Sequence, residues 1–168
     1  QQFRKRTDLV RRRRNSCLHR QAAVNEGGYD DQALGYLVSW LGPVLEKSDV
    51  YDPISVLSPA MNGIMHVQNI KYLKRNSISD NDGIKRAIMD YGAVSTSLYM
   101  DAKYIRSIDA YGQCYRGSYD SDHAVVLVGW DDNIVLGRNY RGAWIVKNSW
   151  GSNWGNNGYF YVSYYDEK

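Results

Sequence analysis

Two cysteines, Cys17 and Cys114, are too few for a disulfide framework, and they leave the redox compartment open. No stretch approaches the roughly 18 apolar residues of a membrane-spanning helix. The start lacks the apolar core of about 7–15 residues that marks a secretory signal. No internal repeat or low-complexity tract is visible beyond Arg11–Arg14. The first residue is Gln rather than Met, from which a fragment or a processed product is expected. Phenylalanine is also scarce, at two residues against fifteen Tyr and five Trp. Rings with a polar tip suit clefts and half-wet surfaces as well as cores.

What is present can fold. Apolar residues make up 43% of 168, enough for one domain with a real core. The net charge of +3 hides an asymmetry. Residues 1–20 hold eight Lys or Arg and one acid, Asp8, whereas the remaining 148 hold 13 basic and 17 acidic groups. A basic arm is thus attached to a mildly acidic globular part.

Three regions follow along the chain: 1–25, 26–63 and 64–168. The first is polar, basic and without periodicity, and is expected to be a disordered arm. Glu26-Gly27-Gly28-Tyr29 is a turn signal. Leu34, Leu37, Val38 and Leu41 then make an i, i+3, i+4, i+7 stripe, which predicts an amphipathic helix from Asp30 to Leu41 stopped by Gly42-Pro43. Ile64–Leu73 alternates like a strand. Asp80–Tyr91 reads as a helix capped by Asp80 or Asp82, with Ile84, Ala87 and Ile88 inward and Gly92 closing it. Ala93–Met100 reads as a strand, and Asp101–Ser107 as one short helical turn or two. His123–Trp130, Ala143–Trp150 and Gly158–Tyr164 are β-branched and aromatic strands bounded by Gly, Asn and Asp. The expected class is α+β: an antiparallel, partly closed sheet with packed helices.

Thiol proteolysis needs a thiolate, a histidine that holds it ionised and later protonates the leaving amine, and a group that orients the imidazole. His123 opens one strand, in Ser121-Asp122-His123-Ala124, and Asn148 ends the next, in Lys147-Asn148-Ser149-Trp150. If the strands are antiparallel neighbours, the two meet at one edge of the sheet. The Asn148 carbonyl can then accept from one ring N–H, with Trp150 lying over the bond. A structural hydrogen bond to a buried histidine is the blander alternative. Asp131-Asp132-Asn133 lacks the spaced ligands of a calcium loop and reads as a solvated turn. Neither a metal nor a cofactor is expected.

The strings "DHAV…VGW" and "KNSWGSNWGNNGYFYVS" resemble the histidine and asparagine segments of the papain-like cysteine peptidases. The match is best over 122–130 and 142–164, and a looser one runs back to residue 26. "GPV" after the first helix and the long excursion between His and Asn look more like a bacterial or archaeal branch. The resemblance implies that 64–168 is the β-rich C-terminal lobe and that 26–63 is left over from the first, helical lobe. It also implies His123 as base and acid and Asn148 as its orienter. Gly27 and Gly28 become a backbone wall for an extended peptide. Asp122 and Ala124, with Ser97 as a further candidate, border the pocket next to the scissile residue, and Trp150 flanks the leaving-group side. An extracellular or cell-envelope location is expected from the family.

The nucleophile is the missing part. The signature C-G-[SA]-C-[WY], with His and Asn about 130–150 residues further on, is absent. Only nine residues separate Cys17 from Gly27, too few for a long helix whose N-terminal dipole would lower the thiol's pKa. Cys114 reads as a loop cysteine. The expectation is that the thiol segment lies upstream, or that the arm has replaced it, and that this chain is inactive alone. Leu34, Leu37, Val38 and Leu41 then lose a partner whose contact is worth on the order of 6–10 kcal/mol by transfer bookkeeping. A chain that self-associates or pairs with a missing N-terminal lobe is expected. The other functional class to weigh is a non-catalytic module that binds a peptide or protein in the retained cleft. Arg11–Arg14 lacks the aromatic interleaving of a nucleic-acid site, and nucleic acid is not an expected partner.

Overall fold

The structure, a computed structural model, describes residues 30–40, 43–45, 47–48, 63–106, 111–137 and 140–168. The chain divides into two compact units, residues 1–71 and 72–168. Cys17, Gly27, Gly28 and the arginine cluster lie outside the described residues.

In the first unit, helix α1 spans Asp30–Val38. It stops short of the expected Gly42-Pro43 because Trp40 takes a left-handed φ of 61°, and its N–H bonds back to the Leu37 carbonyl at 3.2 Å. Leu34 and Leu37 are half-buried, Val38 is exposed, and Leu41 is outside the described residues. The Trp40 ring stacks on His66 with centroids 4.9 Å apart.

The alternation at 64–73 does not make a strand. Ile64, Met65 and Tyr72 are exposed, and no regular pairing forms there. Alternation nominates a face, but a strand also needs a neighbour to take its backbone hydrogen bonds.

In the second unit, helix α2 spans Asp82–Tyr91, with Ala87 buried and Ile84 and Ile88 packed on the core. Neither aspartate caps it. Asn81 holds the N-cap position without a side-chain cap bond. Its amide instead accepts from Arg75 Nε at 3.2 Å and donates to the Ile78 carbonyl, while Asp80 accepts from Asn76. Gly92 ends the helix at φ 91°.

Strand β1 is Val94–Leu98, and a 3₁₀ turn at Ala102–Tyr104 leads into β2, Ile105–Arg106. Then come β3 (Gly112–Gln113), β4 (His123–Leu136), β5 (Tyr140–Lys147) and β6 (Tyr159–Ser163). The sheet order is β1-β4-β5-β6-β3-β2. All pairings are antiparallel except β3 with β6, which makes the sheet mixed. Two-residue β3 was not legible as a strand, since it is too short to show a period.

β4 runs past Trp130, and Asp131-Asp132-Asn133 sits at an irregularity inside it rather than in a separate turn. Asp132 bonds Lys85 of α2 at 2.6 Å and accepts from the Tyr164 hydroxyl at 2.8 Å, which ties the helix to the sheet. Leu98, Val125, Leu127, Trp144, Val146, Phe160, Val162 and Tyr164 form the core.

Candidate active site

Side chains two residues apart on a strand share a face. The face of β4 that buries Val125 and Leu127 therefore begins with His123, and the face of β5 that buries Trp144 and Val146 continues to Asn148. Both polar side chains stand at the end of the apolar layer. His123 Nε2 lies 2.8 Å from Asn148 Oδ1. Asn148 is buried, so the bond is made largely out of water.

A second contact decides which way this bond runs. Asn148 Oδ1 also accepts the N–H of Ser149 at 2.8 Å. A flipped carboxamide would point its NH₂ at that donor, so the oxygen must face it. The ring nitrogen beside Oδ1 then has to donate. His123 is held as the Nε2–H tautomer, with the Nδ1 lone pair left for other chemistry.

The backbone of Asn148 is fixed as well, its N–H donating to the Gly158 carbonyl at 2.9 Å. Gly158 has φ 89°, and its own N–H bonds the Trp154 carbonyl at 2.7 Å. At Gly155, φ is 59° and an added Cβ would sit 2.5 Å from the Tyr159 carbonyl oxygen. The loop from Gly151 to Gly158 thus turns back tightly behind the asparagine.

Trp150 covers the pair from the solvent side. Its ring centroid is 4.8 Å from that of His123, and Trp154 meets it edge-on at 5.0 Å. Trp154 in turn rests on buried Phe160 at 5.2 Å and on Tyr111 at 5.2 Å. A run of perpendicular rings therefore connects the imidazole's cover to the core. Asp122 is exposed, and its carboxylate accepts the N–H of Met100 at 2.9 Å. Ala124 pairs with Ser97, and both are exposed on the opposite face of the β1–β4 pair from His123. The structure thus brings His123, Asn148 and Trp150 together and sets Asp122 beside them.

Residues 2–168 match the family model described as papain family cysteine protease. The chain belongs to the papain family.

Within it, the chain is 35% identical over 140 residues to a cysteine protease of Blomia tropicalis, covering 80% of this chain and 39% of that one. It is 28% identical over 144 residues to mouse pro-cathepsin H, covering 82% and 40%. Among solved structures it superposes with a TM-score of 0.64 and 32% identity on the cysteine protease and lectin-like domains of Cwp84, a surface layer associated protein of Clostridium difficile. That match covers 83% of this chain and 33% of the other. The chain spans about two fifths of the length of the curated relatives it matches.

In this papain-family chain Cys114 is not poised for chemistry. Its thiol bonds Ser163, and burial pushes its pKa up, the reverse of what a nucleophile needs. Ser163 pairs with Ala143, five residues along β5 from Asn148, so the thiol lies roughly 16 Å from the asparagine at about 3.3 Å per residue. Among the described residues no three metal-ligating side chains gather. Three groups that hold the site were not legible in advance: the N–H of Ser149, the carbonyl of Gly158 and the N–H of Met100. All are main-chain atoms, so the only hint of them was the glycine spacing of the "WG…WG…G" run.

Proposed function

We propose that this chain supplies the general base and the orienting amide of a thiol-dependent peptide-bond hydrolase. The observation that carries the reading is the Asn148 carboxamide, fixed by Ser149 so that His123 must donate through Nε2. Nδ1 is then free to take the proton of a thiol, giving a thiolate–imidazolium pair. The thiolate attacks the scissile carbonyl carbon, and the imidazolium returns its proton to the leaving amine. Water then cleaves the acyl-thioester with His123 again as base. Trp150 keeps bulk water from the imidazole–amide bond.

The thiol comes from outside the described residues, as do Gly27 and Gly28, the backbone wall for the peptide that the family resemblance implies. Asp122 borders the pocket for the side chain next to the scissile residue, whereas Ala124 lies on the other face of its strand from His123. The chain by itself is inactive and pairs with a first-lobe segment or with a second copy. An extracellular or envelope setting follows from relatives such as the surface layer associated Cwp84.

The test is to supply a thiol-bearing first-lobe segment from a relative and to label with an epoxide thiol inhibitor. Labelling that requires the added segment and disappears in His123→Ala is expected. A folded assembly that binds peptide but never labels would replace the hydrolase with a peptide-binding module.

A further inference from the structure

Leu98 of β1 pairs with His123 of β4, so the residues just beyond this pair, Tyr99 and Asp122, leave the sheet side by side, one residue from the Leu98–His123 pair. There the rings of Tyr99 and Tyr119 stack, with centroids 5.3 Å apart and planes at 29°. The stack is built rather than incidental. Buried Tyr115 lies 4.5 Å from Tyr99 by centroid, and its hydroxyl accepts the Tyr119 N–H at 2.9 Å. Gln113, fully buried, donates to the Tyr99 carbonyl at 2.7 Å. Tyr119 is nevertheless 60% exposed, so one aromatic face is fixed in place and open to solvent.

The charge around the stack has one sign in excess. Asp122 has no ion-pair partner among the described residues, and Asp120 is fully exposed with Lys168 at 3.8 Å. Burial, and behind it the Asp101 and Asp122 carboxylates, hold the Tyr99 phenol above its usual range against the pull of Lys103. The same face already holds one ammonium between a carboxylate and a ring. Lys103 Nζ is 2.7 Å from Asp101 and 4.9 Å from the Tyr104 centroid. Tyr119 and Tyr99 with Asp122 repeat that pairing of π-face and carboxylate with no lysine or arginine of this chain seated on Asp122 among the described residues, while Asp120 beside them holds Lys168 only at 3.8 Å.

We propose that the Tyr99–Tyr119 stack and the Asp120 and Asp122 carboxylates form a subsite for a lysine or arginine side chain of a peptide lying across His123. The inference rests on the cleft reading given above and adds a substrate class to it. An ammonium or guanidinium gains from the ring quadrupole and from the carboxylates together, whereas an aliphatic side chain of equal length gains from neither. The geometry thus selects charge rather than bulk.

The experiment titrates the chain with two capped peptides that differ only in carrying lysine or its uncharged isostere norleucine, read by tyrosine-ring and His123 resonances. Lysine is expected to bind roughly fivefold tighter at low salt, and to perturb Tyr119 and His123 together. The preference is expected to vanish in Tyr119→Ala, to shrink in Asp120→Asn and to fade in about 0.5 M salt. If both peptides perturb His123 with equal affinity, or the preference survives both variants, the subsite is overturned while the cleft reading stands. If neither peptide perturbs His123, the cleft reading itself fails and takes the proposal with it.

Discussion

His123 and Asn148 are 25 positions apart in the chain, and their side chains are 2.8 Å apart at the end of two paired strands. The β4–β5 register does the joining: Val126 faces Lys147, so the strand that begins at His123 and the strand that ends just before Asn148 finish at the same edge. Ser149, the next residue in the chain, then sets the direction of the hydrogen bond. Position comes from the sheet and polarity from a single backbone N–H.

That polarity is directly measurable. Ring ¹⁵N shifts are expected to show the Nε2–H tautomer, with a slowly exchanging Hε2 that is lost in Asn148→Ala and exchanges faster in Trp150→Ala. On an assembled enzyme, His123→Ala is expected to lower the thiol labelling rate by roughly 10²–10⁴-fold, the span of general acid–base catalysis. Asn148→Ala is expected to lower it less, because the imidazole remains and only its orientation is lost. A dominant Nδ1–H form would overturn the assignment.

Stability is expected to depend on Asp166. Burial, opposed by hydrogen bonds from Tyr115, Lys168 and Gln113, pushes its carboxyl up from 3.8 to about 6. The folded state therefore binds this proton more tightly than the unfolded state. The associated stability is fully present below pH 3.8 and is lost as pH rises through about 6. The contribution is on the order of 2–3 kcal/mol across that window. Urea unfolding at a series of pH values should show wild type losing stability from pH 4 to 7 relative to Asp166→Asn. Parallel curves would show that the aspartate does not titrate there.

Gly158→Ala is expected to destabilise the chain by about 1–2 kcal/mol, because φ 89° is strained for any residue with a Cβ. The new methyl would also press on the Gly151 carbonyl oxygen at 3.2 Å. Since Gly158 accepts the Asn148 N–H, the same variant should speed Hε2 exchange at His123. Gly83→Ala, on exposed helix with nothing within 4 Å, is the matched control and should be neutral or stabilising.

Arg75 gathers the end of the chain. Its guanidinium donates to the carbonyls of Ile78, Tyr164 and Asp166 and to the Asn81 side chain. Lysine keeps the charge but not the planar fork, so Arg75→Lys is expected to cost on the order of 2–3 kcal/mol. Hydrogen exchange should show the loss concentrated at residues 164–168. Uniform loosening of the sheet would count against this reading.

The elements legible in the sequence are those whose own side chains impose a period. α2 shows Ile84, Ala87 and Ile88 on one face and a closing glycine, and β4, β5 and β6 are runs of β-branched and aromatic residues bounded by Gly, Asn and Asp. His123 and Asn148 stood out because one opens a strand and the other follows the end of its neighbour, and Trp150 because it belongs to the same Asn-Ser-Trp string. The reading failed where partners decide. Ile64–Leu73 alternates with no strand beside it among the described residues. β3 is two residues long and exists because β6 offers it a parallel edge. Asp80 and Asp82 look like caps, but Asn76 takes one and the turn around Arg75 sets the helix start.

By itself the sequence determined the family, the strand-end placement of the imidazole and the amide, and the want of a recognisable thiol motif, because these reside in local residue type and spacing. The tertiary structure decided the proton-bearing nitrogen, the mixed sheet, the isolation of Cys114 and the stacking of Tyr99 on Tyr119. Each of those depends on a main-chain atom or a ring brought from elsewhere in the chain. Spacing carries no information about which distant group arrives, and packing alone chooses it.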